Sequence, residues 1–317
     1  MRVVRPSFVL WMPGLFMVGR ARTSLFVRLM ARGTYVPRAC QPPERALFGL
    51  FAIHDDPLPF AAATHAADTG VADERVWLRV DPVHLALGPQ QAFLTDPAVL
   101  GLSCAEADAL GGLLAPLFTD HGYVLEIPKP GRWYVCLESE DTIRTTPLSS
   151  ALGCDVASLL PSGPRRTAWH RLVTEAQMLL HVSEVNQVRE DQGLPVVNSL
   201  WLWGEGRLKQ PSVSWSCILA DDLLIEGLAR ASNCVPGPVP DHAAEVLAHD
   251  VRGRVLIAPR PIEDSEALNS RWLAPLFAAL RANRLSSVTL VDDLATLEVD
   301  TRQARRWWRF AGRYGSH

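Results

Sequence analysis

Two stretches late in the chain, "RVLIAP" at 254–259 and "SSVTLVDD" at 286–293, read as strands, and the segment between them carries Trp272, Leu273, Leu276, Phe277 and Leu280 at helical spacing. A helical crossover brings the second strand back parallel to the first. That order predicts an α/β chain with a parallel or mixed sheet covered by helices. At 317 residues, 48% of them hydrophobic and 21% charged, the chain can bury a sizeable core as one large domain or two unequal ones.

A second constraint is "NSLWLWGEGR" at 198–207, where Leu200 and Leu202 alternate with Trp201 and Trp203. Period two marks a strand with side chains leaving both faces. Gly204 and Gly206 predict a turn at its end and a close backbone approach that a side chain would forbid. A strand of this kind, with Asn198, Glu205 and Arg207 beside the glycines, presents polar groups at a sheet rim; the plain alternative is a buried strand and an ordinary turn.

Elsewhere, residues 24–33 predict a short helix, and "CQPPE" and "HDDPLP" predict breaks, because proline removes a backbone donor and restricts its neighbour. "RVWLRVDPVHL" alternates as a strand expected to halt at Pro82, "CAEADALGGLLAPLFTDHG" has helical spacing, and "RWYVCLES" alternates again. The run at 167–193 places Trp169, Leu172, Val173, Ala176 and Leu180 on one stripe, which predicts a single long amphipathic helix ended by Gly193. "NCVPGPVPDH" reads as a linker or a rigid loop.

The opening "SFVLWMPGLFMVG" has a basic start and an apolar centre, yet Pro13-Gly14 interrupts it and Arg20 and Arg22 follow without a small-residue cleavage site. A first core strand followed by a loop is expected, with a cytoplasmic location and no membrane partner. Cys40, Cys104, Cys136, Cys154, Cys217 and Cys234 form no C-x-x-C pair and read as reduced core residues. The net charge of -3 gathers no polyanions, so nucleic acid is not an expected partner on overall charge. The terminal "TRQARRWWRFAGRYGSH" nevertheless puts Arg302, Arg305, Arg306, Arg309 and Arg313 on one helical face and Trp307, Phe310, Ala311 and Tyr314 on another. It reads either as a helix docked by its aromatics or as an arm for polyanions.

Reaction chemistry is sparse. Asp55-Asp56, Asp221-Asp222 and Asp292-Asp293 are paired carboxylates, of which the last sits at a predicted strand end; they read as metal ligands or as caps and solvated acids. His84, His170 and His181 are ligands, bases or structural histidines, and Glu175, Gln177, Asn186 and Arg189 read as a polar cluster or as surface groups. No phosphate-binding loop, nucleophile elbow or dinucleotide fingerprint is present.

The segment "LLHVSEVNQVREDQGLPVVNSLWLWGEGR" resembles the archaeal-type cofactor-independent phosphoglycerate mutases, whose pattern "HPVN..R...G..aN..WLWG.G" is matched by Asn186, Arg189, Gly193, Asn198, Trp201, Leu202, Trp203, Gly204 and Gly206, with His181 one step early. From about residue 40 onward the chain also resembles the RpfE-type bacterial regulatory proteins, through "DPVHL", "RWYVCL", "LPSG", "EAQMLLH" and "NSLWLWGEG". The mutase resemblance implies a three-layer α/β/α alkaline-phosphatase-like core with a mixed, largely parallel sheet and a smaller inserted α+β domain. The core would take residues 1–74 and 196–317 and the insert 75–195, with "NSLWLWGEG" as the strand that returns to the core. Departures accompany it: Pro13 and Gly14 stand where the mutases carry "DGMGD", "RACQPP" replaces their "PGSD" nucleophile region, and Leu294 replaces a metal-binding histidine after Asp292 and Asp293. The resemblance therefore implies a catalytically degenerate relative with no metal, no cofactor and no catalytic residues. Arg189, Asn198, Trp203, Gly204, Glu205, Gly206 and Arg207 are its candidate ligand-binding residues, for a small phosphorylated ligand or a protein partner. The rival expectation is an active metal-dependent mutase or phosphatase.

Overall fold

The computed structural model describes residues 5–22, 24–39, 42–88, 91–138 and 143–306. The chain forms two compact units, a two-part unit of residues 1–54 with 210–317 and a central unit of residues 55–209. The first part of the two-part unit carries β1 (Ser7–Trp11), α1 (Leu15–Arg22), α2 (Ser24–Arg32), β2 (Thr34–Pro37) and α3 (Pro43–Leu50). The central unit follows with α4 (Phe60–Thr69), β3 (Val76–Val83), β4 (Leu85–Leu87), β5 (Ala92–Leu94), α5 (Cys104–Asp120), β6 (Leu125–Lys129) and β7 (Arg132–Leu137). It continues through α6 (Leu148–Ala151), α7 (Arg166–His181), α8 (Glu184–Asp191) and β8 (Ser199–Arg207). The two-part unit then resumes with β9 (Cys217–Ala220), α9 (Leu223–Ala231), α10 (Ala243–Ala248), β10 (Arg254–Ala258), α11 (Ser265–Leu268) and α12 (Ala274–Arg281). It closes with β11 (Ser287–Val291), β12 (Ala295–Asp300) and α13 (Thr301–Ala304). Among the described residues, no helix is long and apolar enough to cross a membrane.

The two-part unit is built on a mixed sheet in the order β2-β12-β11-β1-β10-β9. Strands β9, β10, β1 and β11 run parallel, and β12 and β2 add antiparallel pairs at one side. The βαβ reading of the sequence is met, with β1 lying between β10 and β11. Phe8 and Leu10 of β1 join a core with Phe16, Phe26, Trp272, Leu276 and Leu280. Val9 and Trp11 leave the opposite face and are buried too, which explains the unbroken apolar run of this strand.

The central unit carries the antiparallel sheet β6-β7-β3-β8 and the hairpin β4-β5. On one face Val76, Leu78, Val80, Trp133, Val135, Leu200 and Leu202 pack against Leu110 and Leu114 of α5 and Trp169, Leu172, Ala176 and Leu180 of α7. The alternate residues Trp77, Arg79 and Asp81 point the other way and are equally buried. Burial on both faces is why β3 reads as a strand yet carries an arginine and an aspartate in its interior.

Several expectations change. The loop expected after β1 is helix α1, because Pro13-Gly14 turns the chain and Leu15 and Phe16 then pack into the core. Strand β3 runs through Pro82, which pairs with Leu200, instead of halting there. The single long helix is two, since Ser183 leaves the helical path at ψ 136° and its hydroxyl accepts from the Asn186 N–H, capping α8. Strand β8 pairs with β3 inside the central unit and does not return to the parallel sheet, so the boundaries fall at 54/55 and 209/210, not at 74/75 and 195/196. "NCVPGPVPDH" lies within the two-part unit as a loop pinned to β9, Gly237 N–H donating to the Ile218 carbonyl at 2.8 Å. Of the basic and aromatic helix expected at the end of the sequence, α13 covers Thr301–Ala304 with Arg305 as its cap, and Trp307, Arg309, Phe310, Ala311, Arg313 and Tyr314 lie outside the described residues.

Gly204 and Gly206 do not form a terminal turn either. They lie inside β8 at a bulge against Trp77 and Arg79, with φ of 73° and 153°. The expected close approach is present: a Cβ on Gly204 would meet the Phe60 Cβ at 2.9 Å, and one on Gly206 would meet the Pro59 Cα at 2.9 Å. The start of α4 thus rests on bare backbone. We expect Gly204→Val to cost about 2–5 kcal/mol, combining left-handed strain with overpacking. Gly112→Ala, on an exposed helical face with open space around it, should be neutral or slightly stabilising. Urea denaturation of the two variants beside the parent checks both; equal midpoints would remove the contact's importance.

Candidate functional site

In open α/β sheets ligands sit outside the carboxyl ends of the parallel strands. Here β1 is followed by Met12, Pro13 and Gly14, and β11 by Asp292 and Asp293. The Asp292 carboxylate is fully buried. Phe16 N–H donates to its Oδ2 at 2.8 Å, while Leu294 and Ala295 N–H both donate to Oδ1 at 2.8 Å. Gly14 N–H donates to Asp293 Oδ1 at 3.2 Å. Burial raises the Asp292 carboxyl above its ordinary range, and the three backbone donors pull against that rise. Its oxygens are engaged in holding α1 and the β11–β12 turn.

Among the described residues no three His, Cys, Asp or Glu side chains converge as metal ligands. Asp222 accepts from the Leu224 and Ile225 N–H groups as the cap of α9, so this aspartate too is turned to the backbone. Cys40 and Gln41 of "RACQPP" lie outside the described residues.

In the central unit, Glu205, Gly206 and Arg207 of β8 line a cleft of about 90 Å³ together with Asp55, Asp56, Pro57, Pro59 and Arg144. Glu205 is buried at 1% exposure. Thr145 N–H donates to Glu205 Oε1 at 3.1 Å and the Thr145 hydroxyl donates to Oε2. Burial raises the Glu205 carboxyl above its ordinary range, opposed first by the Thr145 hydroxyl and more weakly by Arg144. Lys209 pairs with Asp55 at 3.3 Å near the rim. Two guanidinium groups and three carboxyls thus line the cleft, one of the carboxyls bonded to Thr145.

The other expected residues are placed apart from this cleft. Arg189, 2% exposed, donates to the Pro195 carbonyl at 2.8 Å, to Glu106 at 2.7 Å and to the Leu100 carbonyl, which ties α8 to α5. Asn198 brackets Leu85, accepting from its N–H at 2.7 Å and donating to its carbonyl at 2.9 Å. Trp203 donates from Nε1 to Asp81 at 2.7 Å, and its ring carries the Arg79 guanidinium 4.7 Å from the centroid. Asn186 clips Leu180 to Val197, and Glu175 pairs with Arg171 and His121, so the four-residue polar cluster does not assemble. His84 is engaged with the Val196 carbonyl at 2.9 Å. The residues that sequence reasoning passed over are Arg144 and Thr145, which carry no motif, and the buried pair Arg79 and Asp81. Their period-two spacing in "RVD" was the available signal for the pair.

Glu205 generates a pH test. A carboxyl raised by folding contributes stability that is present below its unfolded pKa and lost as pH rises through the folded one. Above that window the ionised group opposes folding. Glu205→Gln keeps the shape without the charge, so its stability relative to the parent should increase from about pH 4, near the ordinary carboxyl range, toward neutrality. Urea melts at the two pH values read this directly; a constant difference would mean that Glu205 titrates as it does in the unfolded chain.

No protein-family model and no curated protein matches this sequence. Solved structures do match its fold. The cofactor-independent phosphoglycerate mutase from Thermoplasma acidophilum DSM 1728 superposes with a TM-score of 0.50 at 14% identity, covering 93% of this chain and 89% of that one. The PH0037 protein from Pyrococcus horikoshii superposes with a TM-score of 0.54 at 15% identity, covering 94% of this chain and 88% of that one. At such identity the likeness is one of fold: the chain has a mixed α/β fold similar to that of the cofactor-independent phosphoglycerate mutase.

Proposed function

We propose that this chain is a catalytically degenerate relative of the phosphoglycerate mutases that acts in the cytoplasm as a binding or regulatory protein of RpfE type. In this reading the two-part unit is the alkaline-phosphatase-like core and the central unit is its insert. One observation carries it: the Asp292 carboxylate, at the strand end where a reaction centre would lie, takes three backbone N–H groups, and its neighbours at the end of β1 are Pro13 and Gly14. Three of the roughly four acceptor sites of that carboxylate are thus taken, and among the described residues no three His, Cys, Asp or Glu side chains converge as metal ligands.

The candidate ligand site of this reading is the cleft at the end of β8. Arg144 and Arg207 supply anion-binding groups for a phosphorylated molecule or an acidic side chain of a protein partner, and Glu205, Asp55 and Asp56 take its donors. A bare phosphate is disfavoured by the three carboxyls, so the ligand carries donors as well as an anionic group.

Assay with 2- and 3-phosphoglycerate and with an aryl phosphate, with Mn²⁺ added, tests the degenerate reading. No turnover above the buffer rate is expected, and the purified chain should bind far less than the about two metal equivalents of a two-metal enzyme. Turnover that a chelator abolishes would replace this reading with that of an active metal-dependent mutase or phosphatase.

A further inference from the structure

Strand β8 is an edge of the central sheet, with β3 on one side. Along its first half lies a second cavity of about 250 Å³, walled by Ser199 to Leu202, by one face of α7, and by Val156, Leu160 and Pro161. The α7 contributors are His170, Val173, Thr174 and Gln177, spaced three, four and seven residues on from the first. They form a stripe beside the Trp169, Leu172, Ala176 and Leu180 stripe that fills the core. His170 Nε2 donates to the Pro161 carbonyl at 2.8 Å, which fixes the distance between α7 and the 156–161 segment and so the width of the cavity.

The walls sort by chemistry. None of the lining residues is Asp, Glu, Lys or Arg, in contrast with the charged cleft at the other end of β8. Most of the lining is aliphatic or indole, and polar atoms gather where Gln177 Nε2 donates to Ser199 Oγ at 2.9 Å. Ser199 is buried at 2% exposure, and its hydroxyl, having accepted from Gln177, still has a proton to give, while Gln177 Oε1 accepts. His170 is the one titratable group of the lining and its Nε2 is engaged with Pro161, so an ionic ligand would lose hydration here for little return.

We propose that this cavity is a binding site for a small uncharged molecule with an apolar, ring-sized body and one hydroxyl or amide head, the head bonded by Ser199 and Gln177. On the scale at which a dry cavity of about 150 Å³ takes benzene, the volume suits roughly ten heavy atoms. The site is independent of the charged cleft and of the degenerate reading, and either stands if the other fails.

The test uses the full chain with 2-naphthol, naphthalene and 2-naphthoate, followed by calorimetric titration and thermal melting. Saturable 1:1 binding of 2-naphthol with a raised Tm is expected, with naphthalene weaker and 2-naphthoate weaker by at least about tenfold, the worth of one lost hydrogen bond or buried charge penalty. Ser199→Ala should erase the preference for 2-naphthol over naphthalene. Val173→Trp should abolish binding by filling the cavity; if that variant melts early, Leu160→Trp, placed at 46% exposure on the rim, serves the same purpose. Absence of 2-naphthol binding to the parent, 2-naphthoate binding as tightly as 2-naphthol, or undiminished binding in a well-folded tryptophan variant would overturn the proposal.

Discussion

A side chain on Gly204 or Gly206 would collide with Phe60 or Pro59 at 2.9 Å, so helix α4 meets β8 backbone to backbone. That contact puts α4 over the face of the sheet bearing Trp77, Arg79, Asp81 and Tyr134 and closes it to water. Once water is excluded, charges on that face require partners. Arg79 and Asp81 pair at 2.7 Å, Trp203 donates to the same carboxylate, and Asp68 on α4 takes Arg132 and Tyr134. His65, also on α4, stacks 3.7 Å from Trp77 and pairs with Glu126 at 2.9 Å. Asp81 is nevertheless raised above the ordinary carboxylate range, burial outweighing the attraction of Arg79.

How much of this was legible in the sequence depends on whether a signal is local. Alternation at Leu200–Trp203 and at Val76–Val80, helical spacing at 104–122, and the late βαβ order all gave the right elements, because each pattern is imposed by one buried face. Pro82 misled because a strand tolerates proline where its N–H is not needed. The division of α7 from α8 turned on one serine cap inside a continuous apolar stripe, a competition that spacing alone does not resolve. Partnership of β8 with β3, across more than a hundred residues, leaves no local trace, and the unit boundaries were displaced with it.

The candidate site divides along the same line. Glu205, Gly206 and Arg207 were reached from the strand and its glycines and do line one cleft. Arg189 and Asn198 looked like ligand groups because they are polar residues in an apolar stretch, yet each bonds backbone carbonyls or amides of the fold. Polar side chains in this segment serve the chain before they serve a ligand. Arg144 and Thr145 complete the cleft from a loop whose sequence carries no periodic pattern, and only the folded chain brings them to β8.

The same reasoning bears on Asp292. A carboxylate at a strand end in an α/β sheet invites a catalytic reading, but here its two oxygens meet three N–H groups belonging to separate parts of the chain: the first turn of α1 and the turn joining β11 to β12. Those donors come from residues whose neighbours are already fixed by the core, Phe16 and Ala295 both being buried. Removing the carboxylate would leave the two buried N–H groups of Phe16 and Ala295 without this acceptor, at about 1–3 kcal/mol each. Backbone satisfaction is therefore a sufficient physical reason for an aspartate at this position. Its presence in "TLVDDLATL" is explained without any reacting group, which is why the chemistry at this end of the sheet has to be argued from ligand geometry and not from the motif.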